Sequence, residues 1–162
     1  MRHGLSRNMT RRIAALFLLA ILCSPLAGIP MQAGRPQAQS LDAEAYQIQA
    51  AYHHDLAVLY LKNGEIEKGL AEARQILKPQ IPPELEEAVA MSMSILTDKL
   101  ASMSRFDQAQ ALLDDTFKVI VQIVNRVRIL QLKSRLYLQA GENDKAIETW
   151  KRAEELKARI RS

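Results

Sequence analysis

Cysteine and aromatic residues are scarce in this chain of 162 residues. Its one cysteine, Cys23, lies near the start, so the remainder can form neither an intrachain disulfide nor a cysteine-based zinc site. Phe, Trp and Tyr together make up 5% of the residues. So few rings offer no stacking surface for single-stranded nucleic acid and no aromatic cage for a cation.

An excess of basic charge is also lacking beyond the first 40 residues. Five arginines and no acid lie in residues 1–40, which leaves 17 of the 22 bases against all 18 acids in residues 41–162. A nucleic-acid-binding surface needs more bases than acids. The charge balance therefore excludes nucleic acid as the expected partner.

Residues 1–40 have the pattern of an export signal. A basic start precedes an apolar run of about a dozen residues at 13–24, the usual length of a signal-peptide core and too short for a membrane span. Small residues at Ala38 and Ser40 predict a cleavage site, with Gly28 as the alternative. We expect a cleaved protein of the periplasm or the extracellular space without a membrane span. An uncleaved N-terminal anchor is the alternative.

Residues 41–162 are expected to form one all-α domain. Strong helix formers dominate, and there is no strand-like alternation. Gly64 and Gly141 sit where left-handed caps would end helices. Only Asn125 indicates a break between the fourth and fifth helices, which could also run together. The pattern predicts helices at 42–62, 66–78, 84–103, 107–122, 127–140 and 144–160.

Three stretches of this domain share one spacing of residues. One copy starts at His53, a weaker one at Met93 and the clearest at Leu130. In each copy, small residues recur at two positions that would face each other where two helices cross. These pairs are Ala57 with Gly69, Thr97 with Ala109, and Ser134 with Ala146.

The spacing resembles the tetratricopeptide repeat family, best through Tyr137, Gly141, Ala146, Trp150 and Ala153. The resemblance spans roughly residues 50–160 and implies a right-handed array of about three antiparallel helical hairpins. Successive copies lie 40 and 37 residues apart, against the usual 34 of the family, so we expect longer second helices. A generic helical bundle is the alternative.

Residues suited to catalysis or metal binding are sparse in the domain. His53 and His54 are its two histidines, and adjacent helical residues point about 100° apart, so they cannot face one centre. We interpret His53 as a packing residue and His54 as a surface residue. Met91 and Met93 lie on nearly opposite helix faces, which favours core packing over a copper site. Because no nucleophile motif or phosphate loop occurs, we expect no enzyme, no cofactor and no metal.

The last predicted helix, 144–160, is interpreted as the closing cap of the array. Glu148 and Arg152 have the i,i+4 spacing of a solvated ion pair, so the outer side is expected to be polar. The inner side would carry Ala146, Ile147, Trp150 and Ala153.

By resemblance to the family, the first helix of each hairpin lines a concave groove that binds a partner. Bases would outnumber acids there, so we expect a peptide or helix of a partner protein, with acidic side chains favoured. We predict a non-enzymatic protein-protein interaction module of the envelope. A self-associating structural subunit is the alternative, and the oligomeric state stays open. The expected lining is Ala51, His54, Val58, Leu61, Lys62, Met91, Ser94, Asp98, Ala101, Arg128, Gln131, Arg135, Leu138 and Gln139.

Overall fold

The described residues of the computed structural model, 36–77 and 80–161, form helices and turns and no strand, which confirms the all-α prediction. Residues 1–35 of the expected export segment lie outside them. None of the described helices is long and apolar enough to span a membrane. The α-helices are α1 (Pro36–Lys62), α2 (Ile66–Ile76), α3 (Glu86–Ser102), α4 (Phe106–Val119), α5 (Ile123–Gln139) and α6 (Asn143–Arg161), and a short 3-10 turn (Pro83–Leu85) precedes α3.

Three tight turns with the same backbone conformation and hydrogen-bond pattern join the helices into pairs. Gly64 and Gly141 have φ angles of +80° and +78°, and Ser104 occupies the corresponding place with φ 58°. Glycine adopts this left-handed conformation without steric cost, which is why it ends helices. In each turn the N–H of the next residue reaches back to a carbonyl of the preceding helix. These hydrogen bonds join Glu65 to Tyr60 at 2.9 Å, Arg105 to Leu100 at 2.9 Å and Glu142 to Tyr137 at 2.8 Å.

Each pair of helices packs together, and we call the pairs hairpin 1 (α1 and α2), hairpin 2 (α3 and α4) and hairpin 3 (α5 and α6). In hairpin 1, a Cβ added at Gly69 would lie 2.7 Å from Cγ of Leu61 and 3.3 Å from the carbonyl oxygen of Ala57, so no larger residue fits. Tyr46 donates from Oη to the carbonyl oxygen of Ile76 at 2.5 Å, and its burial raises the pKa of Tyr46 to about 12.

The hairpins pack side by side. Helix α3 contacts both α1 and α5, so the first helices of the three hairpins form one layer with α3 in the middle. On the other side α2 contacts α4, and Nε of Arg74 donates to Oδ2 of Asp115 at 3.3 Å between them. The core is centred on hairpin 2, where Met93, Leu96 and Leu112 are fully buried.

The break between α4 and α5 lies at residues 120–122, earlier than Asn125, so the fourth and fifth helices are separate. A buried carboxylate fixes this break. Oε1 of Glu86 accepts from the N–H of Val121 at 3.0 Å, and Oε2 accepts from the N–H of Gln122 at 2.8 Å. Because these two N–H groups bond to Glu86, the backbone of α4 does not continue into α5.

The outer side of α6 differs from the predicted polar cap. Ala146 and Ala153 are buried against α5 as predicted. Ile147 and Trp150, however, are 55% and 46% exposed, so their placement on the inner side was wrong. Helix α6 packs on α5, and no further helix follows to cover these two side chains among the described residues.

Candidate functional site

The outer side of the layer formed by α1, α3 and α5 is the surface on which the predicted binding residues lie. Because α3 is the middle helix, a single line of its side chains is exposed here, spaced by three or four residues as one helical face requires. This line consists of Glu87, Met91, Ile95, Asp98 and Ser102. Together with the exposed residues of α1 and α5 beside it, we call this surface the α3 face.

Helix α1 contributes less to the α3 face than predicted. Ala51 and Lys62 are exposed, and Val58 is half-buried against the core. Leu61 was predicted to line the groove, but it is 1% exposed and this prediction was wrong. Its side chain instead fills the crossing of α1 and α2 beside Gly69.

His54 connects two helices of the layer instead of standing free on the surface. Its Nδ1 lies 2.6 Å from Oγ of Ser92, a hydrogen-bond distance, and its ring is half-buried between α1 and α3. Burial lowers the pKa of His54 below its ordinary value of 6.5, against a smaller opposite effect of the Asp55 carboxylate. The ring is therefore neutral at pH 7, and the interpretation of His54 as a surface residue was wrong.

Helix α5 brings most of its predicted residues to the α3 face. Arg135, Leu138 and Gln139 are exposed, and Gln131 is half-buried. Arg128 is already engaged, because its Nη1 donates to Oε1 of Glu87 at 3.0 Å.

The charge of the α3 face is more balanced than predicted. His54 is neutral and Arg128 is paired, so the bases that remain are Lys62 and Arg135. Neither Lys62 nor Arg135 makes an ion pair with another described residue. Asp98, an acid, is exposed on α3. Asp55 is also exposed on α1, one turn after Ala51 and on the same side as Lys62, so these two bases are balanced by two acids.

Two apolar side chains occupy the middle of the α3 face. Met91 is 56% exposed and Ile95 is 43% exposed, whereas Met93 on the opposite side of α3 is fully buried. The two methionines therefore lie on opposite helix faces as predicted, but the interpretation of Met91 as a core-packing residue was wrong. Ile95 was missed, although it follows Met91 by four residues and precedes Asp98 by three, a spacing that puts all three on one face.

A second concavity, which the sequence analysis did not identify, opens between α4, α5 and α6. This cleft has a volume of about 650 Å³. Two of its basic groups have partners: Lys133 forms an ion pair with Asp114, and the guanidinium of Arg152 lies 5.3 Å from the ring centre of Phe117. Arg152 was predicted to form a solvated pair with Glu148, and the structure places it over Phe117 instead.

A further pair of titratable groups lies between α1 and α2. Nδ1 of His53 lies 2.7 Å from Oε2 of Glu72, which joins α1 to α2. Among the described residues, no three His, Cys, Asp or Glu side chains lie close enough to hold a metal ion. No protein-family model matches the chain, and no curated protein matches it.

Proposed function

We propose that this chain is an exported, non-enzymatic protein-protein interaction module, built as a right-handed array of three hairpins of the tetratricopeptide type. The common hydrogen-bond pattern of the three turns supports the array, as do the small residues at the crossings. The α3 face holds a peptide or helix of a partner protein.

The observation that carries this function is the exposure of Met91 and Ile95 at the centre of the layer. Elsewhere α3 buries its large apolar residues. Here it presents two of them to solvent, and charged and polar side chains border them. An apolar centre with a polar rim is the usual anatomy of a protein-binding surface.

Arg135, beside this apolar centre, favours a partner with an acidic residue. Lys62 lies at the end of α1 and Arg135 lies on α5, so they stand on opposite sides of the α3 line. Arginine presents two parallel donors that match the two oxygens of a carboxylate. The favoured partner is a segment with apolar side chains for Met91 and Ile95 and an acidic residue or C-terminal carboxylate for Arg135.

Export follows from the basic start and the short apolar run of residues 1–40. Intact-mass analysis of the exported protein should give a chain that begins between residues 29 and 41. Full-length chain in the membrane fraction would support the uncleaved anchor instead.

The function is tested by comparing three baits in a quantitative pull-down from envelope extract. We expect Met91→Asp to reduce the capture of specific partners at least about tenfold, a loss of about 1.4 kcal/mol, because a charge replaces an apolar contact at the centre of the interface. Ala111→Asp is the matched control, since Ala111 is exposed on α4, away from the α3 face.

Arg135→Glu is the second variant and tests the charge of the partner. An acidic partner should be captured less, by about 1 kcal/mol or less if the contact is exposed. Equal capture by the wild type, Met91→Asp and Ala111→Asp would contradict binding at the α3 face.

A further inference from the structure

The contact between hairpins 2 and 3 shows how one hairpin of this chain covers the next. On α5, the side chains that belong to the common core with hairpin 2 are Ile129, Leu132 and Leu136, and all three are buried. On the side of hairpin 2, Leu113 of α4 is fully buried in the same core. Large apolar side chains therefore form both sides of this contact.

The same repeat positions on α1 are exposed, because no hairpin precedes hairpin 1 among the described residues. In the shared spacing, Tyr52, Asp55 and Leu59 correspond to Ile129, Leu132 and Leu136, so two of the three positions are apolar on α1 and the middle one is an exposed acid. Tyr52 is 61% exposed and Leu59 is 52% exposed. Ile48, one turn earlier, is also exposed. We call this surface of α1 the leading face.

The opposite end of the array, hairpin 3, exposes the positions that the following hairpin covers in hairpins 1 and 2. In the shared spacing, Trp150 of α6 corresponds to Ala73 of α2 and Leu113 of α4, both of which the following hairpin helps to bury. Trp150 is exposed on α6, and so is Ile147 one turn earlier. We call this surface the trailing face.

We propose that the chain assembles head to tail, with the leading face of one copy stacked on the trailing face of another. Both faces carry large apolar side chains at positions that hairpin-to-hairpin contacts bury inside the chain. Terminal repeats of arrays that stay single have polar outer faces, whereas each end of this array exposes large apolar side chains beside its charged ones. The proposal rests on the repeat array proposed above but not on binding at the α3 face.

A second copy fits these ends better than an unrelated partner. The two faces differ from each other and match the two sides of an internal contact, so one copy supplies what the other exposes. A head-to-tail contact joins different surfaces of each subunit, and it leaves one leading and one trailing face free after every addition. The assembly therefore grows with concentration instead of stopping at a dimer, unless a ring closes.

The test is sedimentation velocity on the purified exported protein over a hundredfold range of concentration. We expect the mass of the wild type to increase with concentration. Tyr52→Glu and Trp150→Glu should each remain at the mass of one chain, because each removes one of the two faces. An equimolar mixture of the two variants should form a dimer and no larger species, because one intact leading face and one intact trailing face remain.

Controls separate this assembly from other causes. Met91→Glu alters the α3 face and should assemble as the wild type does, so loss of partner binding and loss of assembly are distinguished. Leu59→Glu on the leading face and Ile147→Glu on the trailing face repeat the experiment at a second exposed residue of each face. The far-UV circular dichroism of every variant should match that of the wild type, which shows that the helices still form. A wild type that stays monomeric over this range would overturn the proposal. So would variants that still associate, or a mixture that stays monomeric.

Discussion

Ser134 in α5 donates a hydrogen bond from its Oγ to the backbone carbonyl oxygen of Ala146 in α6, over 2.7 Å. Both residues are buried. The shared spacing predicted that these two small residues face each other where the helices cross, and this contact confirms it. Such a short approach between a side chain and a backbone leaves no space for a larger residue at position 146.

Ala146→Leu should therefore destabilise the protein clearly. Extra methyl groups in a tight contact typically cost about 1–3 kcal/mol. Ala158→Leu is the matched control, because Ala158 is exposed near the end of the same helix and the change should have little effect. Thermal unfolding measures both, and equal small shifts of the melting temperature would contradict the crossing of α5 and α6.

Thr97→Val should stabilise the protein. Thr97 corresponds to Ser134 in the repeat spacing, but its buried Oγ1 has no hydrogen-bond partner. A buried hydroxyl without a partner costs roughly 1–3 kcal/mol, and valine has the same shape without that cost. We expect the free energy of unfolding in urea to rise by about 1 kcal/mol. Ser134→Ala removes a hydroxyl that has a hydrogen-bond partner, so it should lower the free energy of unfolding by a similar amount. If both variants were less stable than the wild type, the unpaired hydroxyl of Thr97 would not be a cost to stability.

Glu86→Ala, a substitution of a buried residue in the first turn of α3, should be strongly destabilising. It leaves the N–H groups of Val121 and Gln122 without their buried acceptor, and hydrogen bonds to charged groups contribute about 1.5–3 kcal/mol each. Glu87→Ala, at the next position, removes an exposed ion pair with Arg128 and should cost about 1 kcal/mol or less. Chemical denaturation of both variants checks the difference, and similar losses would contradict the role of Glu86.

Stability should fall as the pH falls below 6.5, the ordinary pKa of histidine, through the protonation of His54. Burial lowers the pKa of His54 in the folded protein, so the unfolded chain takes up this proton first. The contribution of the neutral His54 ring to the free energy of unfolding is complete above pH 6.5. It is lost as the pH falls from 6.5 through the lowered pKa of His54 in the folded protein. His54→Gln should flatten this part of the profile of unfolding free energy against pH. An unchanged slope in the variant would assign the effect to other groups.

The helices and turns were predictable because their signals are local. Gly64 and Gly141 end helices through their own backbone conformation, and the helix formers between them need no distant partner. The break between α4 and α5 was misplaced because it depends on Glu86, which lies far away in the sequence. A propensity pattern contains no information about such a bond.

The candidate site was predictable in part. The shared spacing placed Lys62, Met91, Asp98, Arg135, Leu138 and Gln139 on exposed sides of their helices, as the structure has them. It did not identify the groups that these residues contact, such as Glu87, which pairs with Arg128, or Ser92, whose Oγ lies at hydrogen-bond distance from His54. It also placed Trp150 inside, because in a repeat that position is buried only when another hairpin follows.

The bonds of Glu86 also determine which parts of the chain open together. Its carboxylate sits in the first turn of α3 and holds the backbone just before α5, with the whole of α4 between them. Unravelling the start of α3, the end of α4 or the start of α5 would break the hydrogen bonds between Glu86 and the N–H groups of Val121 and Gln122. In native-state hydrogen exchange, the amides of α3, α4 and α5 should therefore exchange as one slow cooperative unit, while those of α6 exchange through separate openings of lower free energy.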